Sequence, residues 1–355
     1  MSPVPAPPSK VLVTGVNGYT AVWLARTLLE RGYSVRGTVR AEGKGTYLKK
    51  MFASYGDNFE IVVTADLQED GAFDEAVKGI DVVMHTAAPL TYKVVTPCVR
   101  GTLGIFESVK THGSSVKRII VTGSVITTLP MMPNSPVLNE SCWNEKAVRE
   151  VEEKGDQAPG MIIYATAKTL AEKGMIPAAN RNNKGKIGWD LTILNPPYLK
   201  QPAIHEVSSP DRLNISLSDL YKILVLGRPD SEVSTPGGGS WIDVRDLAVA
   251  HILAMERADA GGERITVSQG HNTWQEFSQF FSRLSSLKLT VATVDIAHAV
   301  DPSLPAGEPG STKGSEWIYK HDTSKMRRIF GLSCRGAEEM VKDTLGFFST
   351  LSKSP

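Results

Sequence analysis

Over the first 195 residues, short unbroken apolar runs alternate with stretches in which apolar positions recur every three or four residues. The runs VLVTG (11–15), YSVRGTV (33–39), FEIVVTAD (59–66), IDVVMHTAA (80–88), KRIIVTGS (117–124) and WDLTILN (189–195) are rich in Val and Ile and show little polar alternation. That is the pattern of strands covered on both faces. Between them, 21–32 places Val22, Leu24, Ala25, Leu28 and Leu29 on one helical face and stops at Gly32. Segments 71–79 and 96–113 predict helices in the same way. A β-α-β rhythm of this kind predicts an α/β fold: a Rossmann, doubly wound parallel sheet with helices on both faces.

After Asn195 the rhythm breaks. Prolines cluster at 196, 197, 202 and 210, and PDSEVSTPGGGS (229–240) reads as a loop. The run ERITVSQG (263–270) predicts a strand that returns to the first sheet, and 274–284 and 336–351 have helical spacing. The expected organisation is a tail over 1–9, a nucleotide-binding domain over 10–195, and a smaller C-terminal α/β substrate-binding domain over 196–355. MSPVPAPPSK lacks the apolar run of a signal peptide, and no stretch of about 18 apolar residues predicts a membrane span.

Composition narrows the class. The chain of 355 residues is 41% hydrophobic and 22% charged, with a formal net charge of +1, so nothing points to nucleic acid or an anionic membrane surface. Three cysteines, Cys98, Cys142 and Cys334, are odd in number and share no C-x-x-C spacing. They read as free thiols of a cytoplasmic protein, with no disulfide framework and no metal site.

The first candidate site follows the first strand. Gly15-Val16-Asn17-Gly18-Tyr19-Thr20-Ala21 is G-x-x-G-x-x-A between a strand and a helix. Gly15 permits a tight turn, Gly18 lets backbone N–H groups approach a pyrophosphate at the helix N-terminus, and Ala21 is small enough for close packing. A fold that prefers NAD carries an acid about 20 residues further on, at the end of the second strand. Here Arg40 occupies that place and Lys44 follows, although Glu42 lies between them. A guanidinium fork with a nearby ammonium suits the 2′-phosphate of NADP(H).

Tyr164 and Lys168 form Y-x-x-x-K in a helical pattern, so both side chains share one face. At neutral pH a phenol is a usable acid, and a neighbouring ammonium favours its charged form. Ser124 closes the fifth strand run, at the sheet end that faces a nucleotide crevice, where its hydroxyl can donate to a substrate carbonyl oxygen. Alone, each of these has an ordinary structural explanation: a solvated helix face, a strand-end cap. Together they predict reduction of an aldehyde or ketone, with hydride from the nicotinamide, a proton from Tyr164, and Ser124 on the developing oxyanion.

These motifs, read in order, resemble the extended short-chain dehydrogenases/reductases, and within them the dihydroflavonol reductase-like branch with its fungal NADPH-dependent aldehyde/ketone reductases. The resemblance rests on VTGVNGY (13–19), GTVR with Lys44 (37–44), VVMHTAAP (82–89), RIIVTGSV (118–125), YATAK (164–168), LNPPY (194–198), WIDVRDLAVAHILA (241–254) and the run from Asp322-Thr323-Ser324-Lys325 to Gly331. It implies that Asp66 and Leu67 lie by the adenine. Thr86 and Ala87 would line the central part of the cofactor, and Pro196 and Tyr198 the nicotinamide. Ser216 would touch a phosphate or ribose, and Asn17 and Tyr19 the phosphate turn. Where the family carries Thr-Ser-Ser, this chain has Thr122-Gly123-Ser124, so one hydroxyl is missing and the catalytic one is kept.

Two other readings stay open: an NAD(P)-dependent epimerase or dehydratase on a similar scaffold, and a non-catalytic NADP-sensing regulatory protein. The substrate is read as a small carbonyl compound facing Leu90, Tyr92, Val125, Tyr198 and parts of 126–160, in a monomer or homodimer. His85 reads as a packed strand-end histidine, and His251 as a helix histidine without a metal partner. Asp243, Arg245 and Asp246 read as an ion-pair network in a loop before a helix at 247–257.

Overall fold

A computed structural model describes residues 6–87, 95–129, 137–180, 187–228, 239–272, 303–305 and 320–351. Seven strands form one sheet: β1 (Lys10–Val13), β2 (Ser34–Val39), β3 (Phe59–Val63), β4 (Val82–His85), β5 (Arg118–Thr122), β6 (Asp190–Asn195) and β9 (Arg264–Thr266). Their spatial order is β3-β2-β1-β4-β5-β6-β9, and every pair is parallel. The order reverses between β1 and β4, so a crevice opens at their carboxyl ends. The Rossmann sheet expected from the apolar runs is therefore present.

Helices α1 (Tyr19–Glu30), α2 (Thr46–Met51), α3 (Thr96–His112), α4 (Glu145–Lys154) and α5 (Gly160–Asn180) connect these strands. The stripe Ala21, Val22, Leu24, Ala25, Leu28 and Leu29 of α1 is buried, as its spacing predicts. A core of Leu12, Phe73, Ile80, Val83, Ile105, Ile119 and Ile193 lies between sheet and helices. Arg118 is buried in this unit: its guanidinium forks onto Asp190 (Nη2 to Oδ2 2.8 Å) and donates to the carbonyls of Ala254 and Arg257 (2.6 Å each).

The chain divides into two compact units. The first comprises Met1–Pro196, Leu247–Val267 and Asp322–Leu332; the second comprises Pro197–Asp246, Ser268–His321 and Ser333–Pro355. The second unit has its own sheet of β7 (Tyr198–Lys200), β8 (Gly239–Asp243) and β10 (Gly270–Asn272). In it, β8 is central, parallel to β7 and antiparallel to β10. Helices α6 (Ile215–Leu224) and α9 (Ala337–Leu351) belong here, whereas α7 (Val244–Glu256) runs from the second unit into the first and α8 (Ser324–Phe330) lies in the first.

Four expectations need correction. Residues 6–9 are not a free tail: Ser9 is buried, its hydroxyl donates to the Ala6 carbonyl (3.0 Å), and its own carbonyl accepts from Ser34 N–H (3.1 Å). Segment 71–79 is a series of turns, with Asp74 N–H bonded three residues back to Gly71 and Val77 bonded four back to Phe73; Gly71 and Gly79, at its two ends, take φ +76° and +67°, outside the helical region. The segment 263–270 supplies only Arg264–Thr266 to the large sheet. Lastly, α7 starts at Val244, so Arg245 and Asp246 sit in its first turn and not in a loop. Asp243 accepts from Arg245 N–H (2.8 Å) as an N-cap does, and Asp246 meets the positive helix end. The ion pairs are present there: Arg245 with Asp243, Glu339 and Asp343, and Arg335 with Asp246. Leu90, Tyr92 and the helix expected at 274–284 lie outside the described residues.

Candidate active site

The crevice is built first from backbone. Gly15 N–H donates to Thr38 Oγ1 (3.0 Å) and Val16 N–H to the Thr38 carbonyl (2.9 Å), which folds the turn after β1 back onto β2. Gly15 takes φ +65°, and a Cβ on it would lie 3.2 Å from Ala87 Cβ. The turn and the end of β4 are thus in close approach. Thr14 fixes that approach: its Oγ1 accepts from Thr86 N–H (3.1 Å) and Ala87 N–H (3.0 Å), and its carbonyl accepts from the Thr86 hydroxyl. Gly18 precedes α1, whose N-terminus carries no side-chain cap bond and no acid in its first turn. A Cβ at Gly18 would lie 3.2 Å from the Gly15 carbonyl, in the space beside the helix start. Asn17 is half-buried and Tyr19 is buried. The Gly15, Val16 and Gly18 N–H groups are thus spent in shaping the turn, and it is the first-turn N–H groups of α1, for which a helix has no internal acceptors, that fit a dinucleotide pyrophosphate.

Arg40 directly follows β2, and Lys44 lies in the short 3₁₀ turn Glu42–Gly45. Both are exposed, and among the described residues neither is in an ion pair. Their charges are therefore available to an anionic group. Asp66 is exposed, and its Oδ1 accepts from Gln68 N–H (2.9 Å), which makes it a turn former in this structure. Leu67 is buried within the core.

Ser124, Tyr164 and Lys168 all belong to the first unit. Ser124 lies two residues past β5 and opens the 3₁₀ turn Val125–Thr128. Its Oγ accepts from Ile126 N–H (3.3 Å), so its own proton is left to donate elsewhere. Tyr164 and Lys168 stand one turn apart on α5 and are both half-buried. Helix α5 packs against the Val125–Thr128 turn, where Ile126 joins Ile162, Ile163 and Ala165 in an apolar cluster. Pro196 is buried, and its carbonyl accepts from Val125 N–H (3.1 Å), so it holds the same turn. The Lys168 charge reaches the end of β4 and the start of α3. It works with burial to push His85 down to about 3, and it partly offsets the upward push of burial on the Cys98 thiol.

His85 is buried, with Nδ1 3.0 Å from Thr14 Oγ1 and its ring edge-on to Phe73. Thr14 Oγ1 already accepts two amide protons, so its own proton is assigned to His85 Nδ1, and the imidazole proton to Nε2. A neutral ring locked in this way supports the sheet end and is not a base. His251 Nδ1 donates to the Leu247 carbonyl (2.8 Å), and Nε2 faces the Thr122 hydroxyl (2.8 Å); among the described residues no metal-binding cluster occurs.

Tyr198 and Ser216 belong to the second unit. The Tyr198 hydroxyl donates to Asp219, and Ser216 is half-buried in the first turn of α6. The sequence reading does not reach Asn195 and Thr127, which bond the Ser124 backbone, or Glu172 and Arg264, which bond those two in turn. The signals were faint: Asn195 inside LNPPY, and Glu172 one turn past Lys168 on the same face of α5. They also explain Gly123, because a Cβ there would overlap Asn195 Oδ1.

Comparison with known proteins gives a consistent picture. Residues 11–268 match the NAD dependent epimerase/dehydratase family. The chain is 33% identical to an uncharacterized oxidoreductase of Schizosaccharomyces pombe, over 88% of this chain and 93% of that protein. It is 30% identical to the ketoreductase azaE of Aspergillus niger, over 95% of this chain and 96% of the relative. Among solved structures, the yeast methylglyoxal/isovaleraldehyde reductase Gre2 complexed with NADPH superposes with a TM-score of 0.81 at 26% identity, over 98% of this chain and 100% of the other.

Proposed function

This chain belongs to the NAD dependent epimerase/dehydratase family, and from that premise we propose that it is an NADPH-dependent carbonyl reductase acting through Ser124, Tyr164 and Lys168. Its substrate is an aldehyde or ketone and its product the alcohol. The observation that carries the reading is a cluster of chemistry at the carboxyl end of the large sheet. There, a serine with a free hydroxyl proton and a helix bearing Tyr164 and Lys168 share the packing of one 3₁₀ turn.

Gly15, Asn17, Gly18 and Tyr19 would hold the pyrophosphate at the start of α1, Arg40 and Lys44 the 2′-phosphate, and Thr86 and Ala87 the central section. Asp66 and Leu67 would border the adenine, Pro196 and Tyr198 the nicotinamide, and Ser216 would touch a phosphate or ribose. NADPH, when bound, supplies the hydride for the carbonyl carbon. Ser124 donates its hydroxyl proton as a hydrogen bond to the carbonyl oxygen, so charge is stabilised where it develops. Tyr164 transfers its phenolic proton to that oxygen, which completes the alcohol. Lys168 holds a positive charge one helical turn away, where it stabilises the phenolate left behind and can bond the ribose hydroxyls.

Arg40 in place of an acid after β2 separates this reading from an NAD-retaining epimerase. Among the described residues no helix is long and apolar enough to cross a membrane, and Cys98, Cys142 and Cys334 form no disulfide. The proposed enzyme is a cytoplasmic monomer or homodimer that meets small-molecule carbonyls. The test is NADPH consumption across a panel of aldehydes and ketones with Tyr164→Phe as control. The variant should lose about 10²–10⁴-fold in kcat, the usual contribution of a positioned acid, while NADPH titration by fluorescence stays unchanged. Activity near that of the parent would assign the proton to another group.

A further inference from the structure

Behind Ser124 lies a closed ring of hydrogen bonds. Ser124 N–H donates to Asn195 Oδ1 (3.0 Å), and Asn195 Nδ2 donates to Glu172 Oε1 (3.0 Å). Arg264 Nε donates to the same carboxylate oxygen, and Arg264 Nη2 donates to Thr127 Oγ1 (3.0 Å). The Thr127 hydroxyl then donates to the Ser124 carbonyl (3.0 Å), which returns the ring to its start. Its polarity admits one arrangement. A guanidinium only donates and a carboxylate only accepts, so the Asn195 amide must turn its NH₂ to Glu172 and its oxygen to Ser124. Thr127 Oγ1, accepting from Arg264, must give its proton to Ser124.

Glu172, Asn195 and Thr127 are at most 1% exposed, and the Arg264 guanidinium lies 3.7 Å from the centre of the Trp143 ring and donates to the Cys142 carbonyl (3.1 Å). Buried charge of this kind is a weak source of stability compared with apolar packing, but it is strongly directional. The ring grips both the N–H and the C=O of one residue. That residue follows Gly123, which has no side chain to hold it. Glu172 is carried by α5 on the face that bears Tyr164 and Lys168 two turns and one turn earlier. One helix thus presents the proposed acid and anchors the backbone of the proposed oxyanion donor.

We propose that Asn195, Glu172, Arg264 and Thr127 are positioning residues that set the Ser124 hydroxyl relative to Tyr164; this rests on the catalytic reading of Ser124 above. Thr127→Val opens the ring at Ser124 while keeping side-chain shape. It should lower kcat at least tenfold with substrate KM and NADPH affinity within twofold of the parent, and Thr127→Ser should recover most of the loss. In a Ser124→Ala background, Thr127→Val should change kcat by less than twofold, because the hydroxyl it positions is gone. A purely structural role predicts an equal fold-loss in both backgrounds, and that result overturns the proposal. If Thr127→Val does not fold, Glu172→Gln carries the same two-background comparison. In the parent protein, the Ser124 amide should exchange with solvent far more slowly than an open loop amide; loop-like exchange refutes the ring directly. Full activity of Ser124→Ala alone would instead sink the catalytic assignment on which this inference stands.

Discussion

Arg40 has an exposed guanidinium, no ion-pair partner among the described residues, and a place fixed by the end of β2. At that place an acid would select against a 2′-phosphate by repulsion, whereas Arg40 selects for it by a charged fork. A hydrogen bond to a charged group contributes about 1.5–3 kcal/mol, or roughly 10–100-fold in affinity. Arg40→Ala should therefore raise the KM for NADPH by about that factor and leave the KM for NADH nearly unchanged. Lys44→Ala should act in the same direction and more weakly, since an exposed ammonium on a flexible stem is well screened. Steady-state kinetics with both cofactors checks the pair. An equal loss with NADH would mean that Arg40 supports the fold of the turn and not the phosphate. The residues that could be read from sequence at this scale are those whose chemistry depends on near neighbours: Gly15 with Gly18, Tyr164 with Lys168, Arg40 after its strand. Asn195 could not be read in the same way, because its partners Ser124 and Glu172 lie 71 and 23 residues away and only the folded sheet brings them together.

Among the elements, β5 is tied to its surroundings by Arg118. The guanidinium forks onto Asp190 at the start of β6 and donates to the carbonyls of Ala254, in the last turn of α7, and Arg257, just beyond it. Last-turn carbonyls have no partners within their helix, and a cation there satisfies them and opposes the negative helix end. Gly261 leaves room for this, since a Cβ on it would overlap Asp190 Oδ2. Arg118→Ala would strand a carboxylate and two carbonyls. Breaking one side of a buried pair costs about 3–5 kcal/mol, a fall in Tm of roughly 6–20 °C at about 2–4 °C per kcal/mol. Arg118→Lys should rescue little, because an ammonium cannot span the fork. Thermal unfolding followed by circular dichroism measures both, and a shift below about 2 °C for Arg118→Ala would discard this account of β5. The strands β1, β2 and β4 to β6 were legible because largely buried runs are continuous in Val and Ile, and the edge strand β3 shows the same run although it is only half-buried. The helical reading of 71–79 failed because its periodicity covers barely two turns, and the start of α7 was misplaced because Arg245 and Asp246 look like loop residues until Asp243 is seen to accept from Arg245 N–H.

On the scale of the whole molecule, the chain leaves the first unit after Pro196 and re-enters it twice, at Leu247–Val267 and Asp322–Leu332. The apolar run near 263–270 announced one return; α8 and most of α7 carry the rest, and nothing local in their sequence says which unit they join. Five histidines across the two units share one electrostatic condition. Burial pushes His85 down to about 3, and His205, His251, His271 and His321 down to about 4, from an ordinary 6.5; the Lys168 charge adds to the effect at His85 and the Lys320 charge at His271, and His271 and His321 disfavour each other's protonation. In the unfolded chain these rings protonate as pH falls below about 6.5, while the folded chain keeps them neutral to about 4. The unfolded state therefore binds more protons in this window, and stability rises with pH across it. It is fully present above about 6.5 and is lost as pH falls toward 4. Buried Asp243, raised to about 6 chiefly by desolvation, works in the opposite sense, as does Asp246, whose shift is also upward. Five groups outweigh two. His85 and His251 alone are worth on the order of 2–3 kcal/mol per pH unit between pH 6 and 5. The Tm should thus fall steeply from pH 7 to pH 5, before most exposed carboxylates titrate. Scanning calorimetry over that range decides the matter, and a Tm that stays level or climbs on acidification would show that the buried imidazoles accept protons without unfolding.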